Sequence, residues 1–358
     1  MQELLALEKG ATEALLSLSL SHYTEDCGRG RLATAIAALY ENVMPEDVIV
    51  LSGVDAVIHD TLSSLVEPGM NVMIQSPEYP PLLNVPQWRG ATIKSWRPSG
   101  DGLDAGSGWD LALTVDAEAI VATVPHSPFG WSPSEEWYRA LVKSADERGQ
   151  LLVVDEIYRG IDLTADGHGV LPSACELSEQ AVIFGGLAKS YGLTGLRVGW
   201  VVCRHQPTRQ RIENYSFNTN SNVCAPTELL ASLAIENTAE LLRRNATVAR
   251  TNLEAVAQFV ARTDGLFRWS KPTSGLVAWL SWHGPGSAHA LATTLLEHDH
   301  ILVADHTLFG LADGPSGGGL RVGLGPPDMP QRLAKLEVAV QRYVGAWESN
   351  GWERGIIS

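Results

Sequence analysis

The chain is poor in cysteine and in basic residues, and it holds no long unbroken apolar run. Its 358 residues include four cysteines, Cys27, Cys175, Cys203 and Cys224. No two form a CxxC pair, which excludes the usual zinc and disulfide frameworks. Free thiols point to a reducing compartment, so a cytoplasmic protein is expected. Lysine and arginine total 26 against 41 aspartates and glutamates, a formal net charge of -15. A phosphate backbone would be repelled by such a surface, so no nucleic-acid partner is expected. No apolar stretch is long enough to span a bilayer, so no membrane partner is expected either. The start carries Glu3 and Glu8 and lacks a basic segment followed by an apolar core, so it is not read as a secretory signal.

What is present is a globular composition, 45% hydrophobic and 19% charged. The length exceeds one ordinary core, so two domains are expected. From Val48 to Cys203 short apolar runs alternate with helix-length amphipathic stretches, the pattern of a mainly parallel sheet. Strands are expected at Val48–Leu51, Asn71–Gln75, Thr92–Trp96, Ala119–Val124, Leu151–Asp155, Ala181–Phe184 and Val198–Cys203. Helices are expected at Ala56–Glu67, stopped by Pro68-Gly69, and from Ser134 to Lys143, with Ser134 as N-cap. After Pro226 come long helices from Thr227 to about Val260. A second α+β portion follows: strands Gly275–Trp282 and Arg321–Leu324, helices Ala288–His298 and Gln331–Glu348. The division expected is an arm at 1–22 belonging with the smaller domain, a large domain at 23–235 and a small domain at 236–358. Gly310 to Gly319 reads as a glycine-rich loop.

The reactive residue types fall after the ends of apolar runs: Ser52-Gly53, Ser76-Pro-Glu-Tyr79, Pro125-His-Ser127, Asp155 to Tyr158, and Lys189. In a parallel sheet these ends share one edge, where open α/β sheets bind ligands. Lys189 follows Ala181-Val-Ile-Phe-Gly-Gly186, so an amine stands just past a buried strand. A desolvated lysine loses proton affinity and becomes a nucleophile able to form a Schiff base with a carbonyl cofactor.

These segments resemble the class I/II aminotransferases of the fold-type-I pyridoxal 5'-phosphate (PLP) enzymes. The sharpest pieces are Val153-Val-Asp-Glu-Ile-Tyr158 and Ala188-Lys-Ser-Tyr-Gly-Leu-Thr-Gly-Leu-Arg-Val-Gly-Trp200. Pro125-His-Ser-Pro-Phe-Gly-Trp131 stands in the place of the family's asparagine-proline-threonine-glycine element. The resemblance runs from about Tyr23 to the last helix. It implies a three-layer α/β/α large domain with a mainly parallel seven-stranded sheet, plus a smaller α+β domain.

It also implies roles. Lys189 would hold PLP and move the substrate's α-proton. Asp155 would pair with the ring nitrogen. Tyr158 and, in the asparagine position, Ser127 would face the 3'-oxygen. Arg197, eight residues beyond Lys189, would clamp the phosphate bidentately. Gly53 with the amides of Val54 and Asp55 would form the phosphate cup at a helix N-terminus. Tyr79 would stack on the ring, and Arg321 would grip the substrate α-carboxylate. Tyr23 would reach the partner subunit's phosphate, so a homodimer with shared sites is implied. Ser127, Phe129, Gly186 and Val54 depart from the family's usual residues, and the N-terminal segment reads as short beside the family pattern.

Three functions fit: an aminotransferase exchanging an amino group between an α-amino acid and an α-keto acid; a PLP lyase or cyclase of the same fold, as in amino-acid-derived natural-product pathways; and a non-catalytic PLP-fold binding protein. His298, His300 and His306 raise a metal site, but no acid or cysteine cluster completes it, and no metal is expected. Gly28-Arg-Gly30 and Gly323-Leu-Gly325 lack the strand-to-helix context of a dinucleotide fingerprint. A GxSxG elbow is missing too.

Overall fold

The computed structural model describes residues 1–24, 30–96, 116–164, 170–220, 222–311 and 318–350. Seven strands form one sheet: β1 Val48–Leu51, β2 Asn71–Gln75, β3 Thr92–Trp96, β4 Ala119–Thr123, β5 Leu151–Asp155, β6 Val182–Gly186 and β7 Gly199–Cys203, in the order β1-β7-β6-β5-β4-β2-β3. Adjacent pairs among β3, β2, β4, β5 and β6 are parallel, and β7 runs antiparallel to both β6 and β1. β1 therefore points the same way as β6, and the expected shared edge is present.

The strands read as continuous apolar runs because both faces are covered. Alternate residues enter opposite cores. Val50, Ile120, Val154, Ile183 and Val202 pack with Leu32, Ile36 and Leu141. Their neighbours Leu51, Val121, Val153, Phe184 and Val201 pack on the other face with Val57, Ile58 and Leu62. Each such side chain contributes about 1.5–3 kcal/mol on burial, so a one-residue slip in register would be costly. Leu4, expected on the side of the smaller domain, is buried in the first of these cores with Leu32 and Ile36.

The boundaries moved for local reasons. The helix expected from Ala56 to Glu67 spans Val54–Leu65, because Gly53 (φ 99°) already serves as its N-cap. At the other end, Pro68 disfavours a helical Glu67. Ser134 caps the helix Glu135–Glu147 by accepting the Trp137 N–H at 3.2 Å. The long helical stretch separates at Asn237 into Ala225–Glu236 and Thr238–Arg262.

A second, four-stranded antiparallel sheet holds β8 Phe267–Arg268, β9 Val277–Trp282, β10 Ala304–Asp305 and β11 Gly319–Gly323, ordered β10-β11-β9-β8. It packs with the helices Ala288–Asp299 and Met329–Glu348 around Leu280, Trp282, Leu320 and Leu336. β8, two residues long, was not expected from the sequence. His298 lies in the last turn of its helix and His300 caps that helix at φ 55°, so the two do not share a strand face. No group of three His, Cys, Asp or Glu able to hold a metal ion occurs among the described residues. Nor, among them, is any helix long and apolar enough to cross a membrane. Cys27, Gly28 and residues 312–317 of the glycine-rich stretch lie outside the described residues.

Candidate active site

The carboxyl ends of β4, β5 and β6, with the segments that follow β1 and β2, open on one cavity of about 710 Å³ that is continuous with solvent. Val54, Asp55, Tyr79 and Arg197 line one part of it. Ser127, Asp155, Tyr158, Lys189 and Arg321 line the rest. These nine are all of the expected site residues except Gly53 and Tyr23. Gly53 lies directly behind, where a Cβ would fall 2.5 Å from Arg197 Nη2. Tyr23 stands apart at the surface, 91% exposed.

Asp155 ends β5, 3% exposed, with Oδ1 accepting the Ile157 N–H at 3.0 Å. Burial pushes its carboxyl up to about 7 despite that bond, and the Glu156 charge adds to the effect. A cation beside it would restore the carboxylate. Desolvation lowers the Lys189 amine from the ordinary lysine value, and the positive charge of Arg321 lowers it further, against Asp155 and Asp55. Burial raises the Tyr158 phenol, opposed by Arg321 and by a hydrogen bond with Ser127. Behind this row, the Ser190 hydroxyl donates to Ile157 O at 3.1 Å and Asn245 Nδ2 donates to Ser190 O at 2.8 Å. The Lys189 turn is thereby tied to the Asp155–Tyr158 segment.

At the other end, Arg197 holds φ 51°, a left-handed conformation that costs a non-glycine residue of order 1–3 kcal/mol at most such sites. Its Nη2 donates to Asp55 Oδ2 at 3.2 Å, and the Tyr79 hydroxyl donates to Asp55 Oδ1 at 2.9 Å. Burial and then that bond push the Tyr79 phenol up to about 12. A Cβ on Gly199 would fall 2.7 Å from Val54 N, so β7 passes close under the first turn of the helix. The free N–H groups of that turn, the guanidinium and the close backbone make an anion cradle.

Ser127 accepts from Arg321 Nη1 at 3.4 Å as well as bonding Tyr158. Phe129, in the threonine place, turns into the aromatic packing instead of the cavity. It lies 5.3 Å from the His126 ring and edge-on to Trp279 at 5.4 Å. Trp279 in turn packs on Phe309, whose ring lies 5.0 Å from the Arg321 guanidinium carbon. His126 is buried, donates from Nε2 to Pro77 O at 2.9 Å, and is pushed down to about 4 by burial.

Five lining residues were not expected as site residues, Glu78, Thr123, Ile157, Ala188 and Thr194, and the first two bond each other. Glu78 Oε1 accepts from the Thr123 hydroxyl and from the Tyr79 N–H, both at 2.8 Å. The available signals were an acid inside Ser76-Pro-Glu-Tyr79 and a lone hydroxyl in an otherwise apolar strand.

PLP needs an amine, an acceptor for a protonated ring nitrogen, a donor for the 3'-oxygen and a cradle for a dianion. Lys189, Asp155, Tyr158 and the Gly53–Arg197 cradle present these groups around one cavity, and Glu78 Oε2 is a buried polar atom without a partner among the described residues. The residues fit the cofactor.

Comparison with known proteins agrees. Capreomycidine synthase of Streptomyces vinaceus is 26% identical over 313 residues, 86% of this chain and 78% of that protein. The arginine–pyruvate transaminase of Pseudomonas aeruginosa is 27% identical over 348 residues, 93% of this chain and 85% of that one. Among solved structures, a PLP-dependent aminotransferase from Streptococcus suis superposes with TM-score 0.84 at 23% identity, covering 96% of this chain and 90% of its own. The PLP-dependent cyclase OrfR gives TM-score 0.81 at 24% identity, covering 97% and 90%. The sequence profile of "Aminotransferase class I and II" matches residues 5–336. The chain belongs to the class I and II aminotransferases, a family of transferases whose cofactor is PLP.

Proposed function

We propose that the protein transfers an amino group between an α-amino acid and an α-keto acid at the cavity beside Lys189. The observation that carries this is the convergence of Lys189, Asp155, Arg197 and Arg321 on one cavity. Bound there, PLP supplies an aldehyde for the amine and an electron sink for the substrate's α-carbon. Arg197, Gly53 and the amides of Val54 and Asp55 hold the phosphate. Tyr79 covers one ring face, Asp155 holds the ring nitrogen, and Tyr158 with Ser127 holds the 3'-oxygen. Arg321 binds the α-carboxylate and so orients the α-C–H toward Lys189. The Lys189 amine, its proton affinity already lowered, takes that proton on Nζ and returns it.

In this reading residues 23–235 are the cofactor-binding domain and 236–358 the small domain that brings Arg321, with 1–22 as an arm. Tyr23 serves the cavity of a second copy in a homodimer, which accounts for a tyrosine and the nearby Leu16 and Leu20 left bare on one chain. The substrate is a small-molecule amino acid.

A second reading has a specific observation behind it. Ser127 replaces an amide at the 3'-oxygen and is shared with Arg321, and one relative of similar identity is a synthase rather than a transaminase. Cyclisation or elimination on an amino acid is the rival. Incubating the loaded enzyme with single amino acids and no keto acid separates them. A transaminase accumulates pyridoxamine phosphate after one turnover. A cyclase or lyase keeps PLP and releases altered product; no turnover with any amino acid would sink both.

A further inference from the structure

One carboxylate is bonded to both side chains at the phosphate end of the cavity. Arg197 Nη2 donates to Asp55 Oδ2 at 3.2 Å, and the Tyr79 hydroxyl donates to Asp55 Oδ1 at 2.9 Å. Asp55 stands in the first turn of the helix Val54–Leu65 and lines the cavity beside both partners. An acid in a first turn favours its helix through the helix dipole. That role needs no side-chain partner, yet here each oxygen is bonded to a cavity residue. Stability does not explain the pair either. The Arg197 and Asp55 side chains are 50% and 59% exposed, and exposed ion pairs contribute little. The guanidinium is confined on its other side, where a Cβ on Gly53 would fall 2.5 Å from Nη2. Arg197 therefore faces the cradle with one donor already given to an anion.

We propose that Asp55 is an internal competitor of the cofactor's phosphate, a residue that sets how strongly the site prefers a phosphorylated vitamer. A bidentate clamp needs two N–H groups of one guanidinium, and the carboxylate engages Nη2. Its negative charge also repels a second anion brought to the same arginine. Val54 and Gly186, which offer no hydroxyl at this end, act in the same direction. The phosphate is thus gripped less firmly than the cradle's donors would allow, and the loaded enzyme releases PLP faster. The inference rests on the reading that this cradle takes the phosphate of PLP.

Asp55→Asn tests it, because the amide keeps the size and an oxygen for the Tyr79 hydroxyl while removing the charge. Release of PLP from the loaded enzyme into a phosphatase trap should slow about tenfold in the variant. In absorbance titrations of the cofactor-free proteins, PLP should bind the variant about tenfold more tightly. Pyridoxal, which lacks the phosphate, should bind both proteins alike. Inorganic phosphate should compete with PLP at lower concentration in the variant than in wild type. Asp55→Ser, a second uncharged variant with a residue suited to a first turn, should follow Asp55→Asn and decides if the latter does not fold. Unchanged release and affinity for PLP, or an equal gain for pyridoxal, overturns the proposal. If wild type binds PLP and neither variant binds it better, only the role of Asp55 falls. If no protein of the set takes up PLP, the cofactor reading itself fails, and this inference with it.

Discussion

Val54 occupies the space that a side chain on Gly186 would need: a Cβ there would fall 2.5 Å from Val54 Cγ2. The two departures from the family pattern are therefore one steric exchange, in which a methyl replaces a hydroxyl at the phosphate end. Gly186→Ser alone overpacks the site, at a cost of about 1–3 kcal/mol. It should weaken PLP binding roughly tenfold. The double variant Val54→Ser/Gly186→Ser removes the closest of the contacts at position 186, leaving Ile157 Cδ1 at 3.0 Å and Val198 O at 3.2 Å from the Cβ. It also adds hydroxyl donors for the phosphate, each worth about 1.5–3 kcal/mol when made to a charged group. It should bind PLP more tightly than wild type in an absorbance titration. Unchanged affinity in Gly186→Ser would show that the two side chains do not compete.

Lys189→Ala removes the only amine lining the cavity among the described residues. Turnover should fall below detection, while affinity for PLP drops less, because the phosphate cradle remains. Borohydride treatment followed by digestion should label the peptide containing Lys189 in wild type and no peptide in the variant. Substantial turnover in Lys189→Ala would remove the proposed base.

Asp155 makes the cofactor-free protein sensitive to pH. Its folded value of about 7 lies above the unfolded value of about 4. Between these the unfolded chain has shed a proton that the folded chain keeps, so the Asp155 contribution to stability falls as pH rises from about 4 to about 7. Three units correspond to a penalty of about 4 kcal/mol above that window. His126, pushed down to about 4, works in the opposite direction over much of the same range, so wild type alone does not isolate the effect. The difference between wild type and Asp155→Asn does. Denaturant unfolding should show the variant more stable at pH 8 and the advantage gone below pH 4. A pH-independent difference would mean that Asp155 ionises freely.

How far this could be seen in the sequence differs by residue. The apolar runs at Val48, Ala119 and Leu151 are strands buried on both faces, so their composition announced them. Asp155 and Lys189 were legible because each follows such a run directly. Arg321 had no such cue: β11 lies between β10 and β9 in the other sheet, and only the packing of the two cores brings it to Ser127. Glu78 was hidden by its neighbours, since two prolines and Tyr79 already explained the turn. Phe129 read as a missing site hydroxyl, whereas its contacts with His126 and Trp279 make it part of an aromatic wall.

Arg321 lies over Phe309 and reaches Ser127, and its charge is the second-largest influence lowering the Lys189 amine. Arg321→Gln removes one positive charge next to the lysine, so the Lys189 proton should be held more tightly. The pH dependence of PLP capture by the cofactor-free protein reads the free amine directly, and its midpoint should move upward in the variant. The affinity for PLP at high pH should change little, because the phosphate cradle around Arg197 is untouched. KM for amino acids should rise roughly tenfold or more, since the charge-assisted contact proposed between Arg321 and the α-carboxylate is lost. A raised KM with an unmoved midpoint would confine Arg321 to substrate binding and leave desolvation alone to activate the lysine.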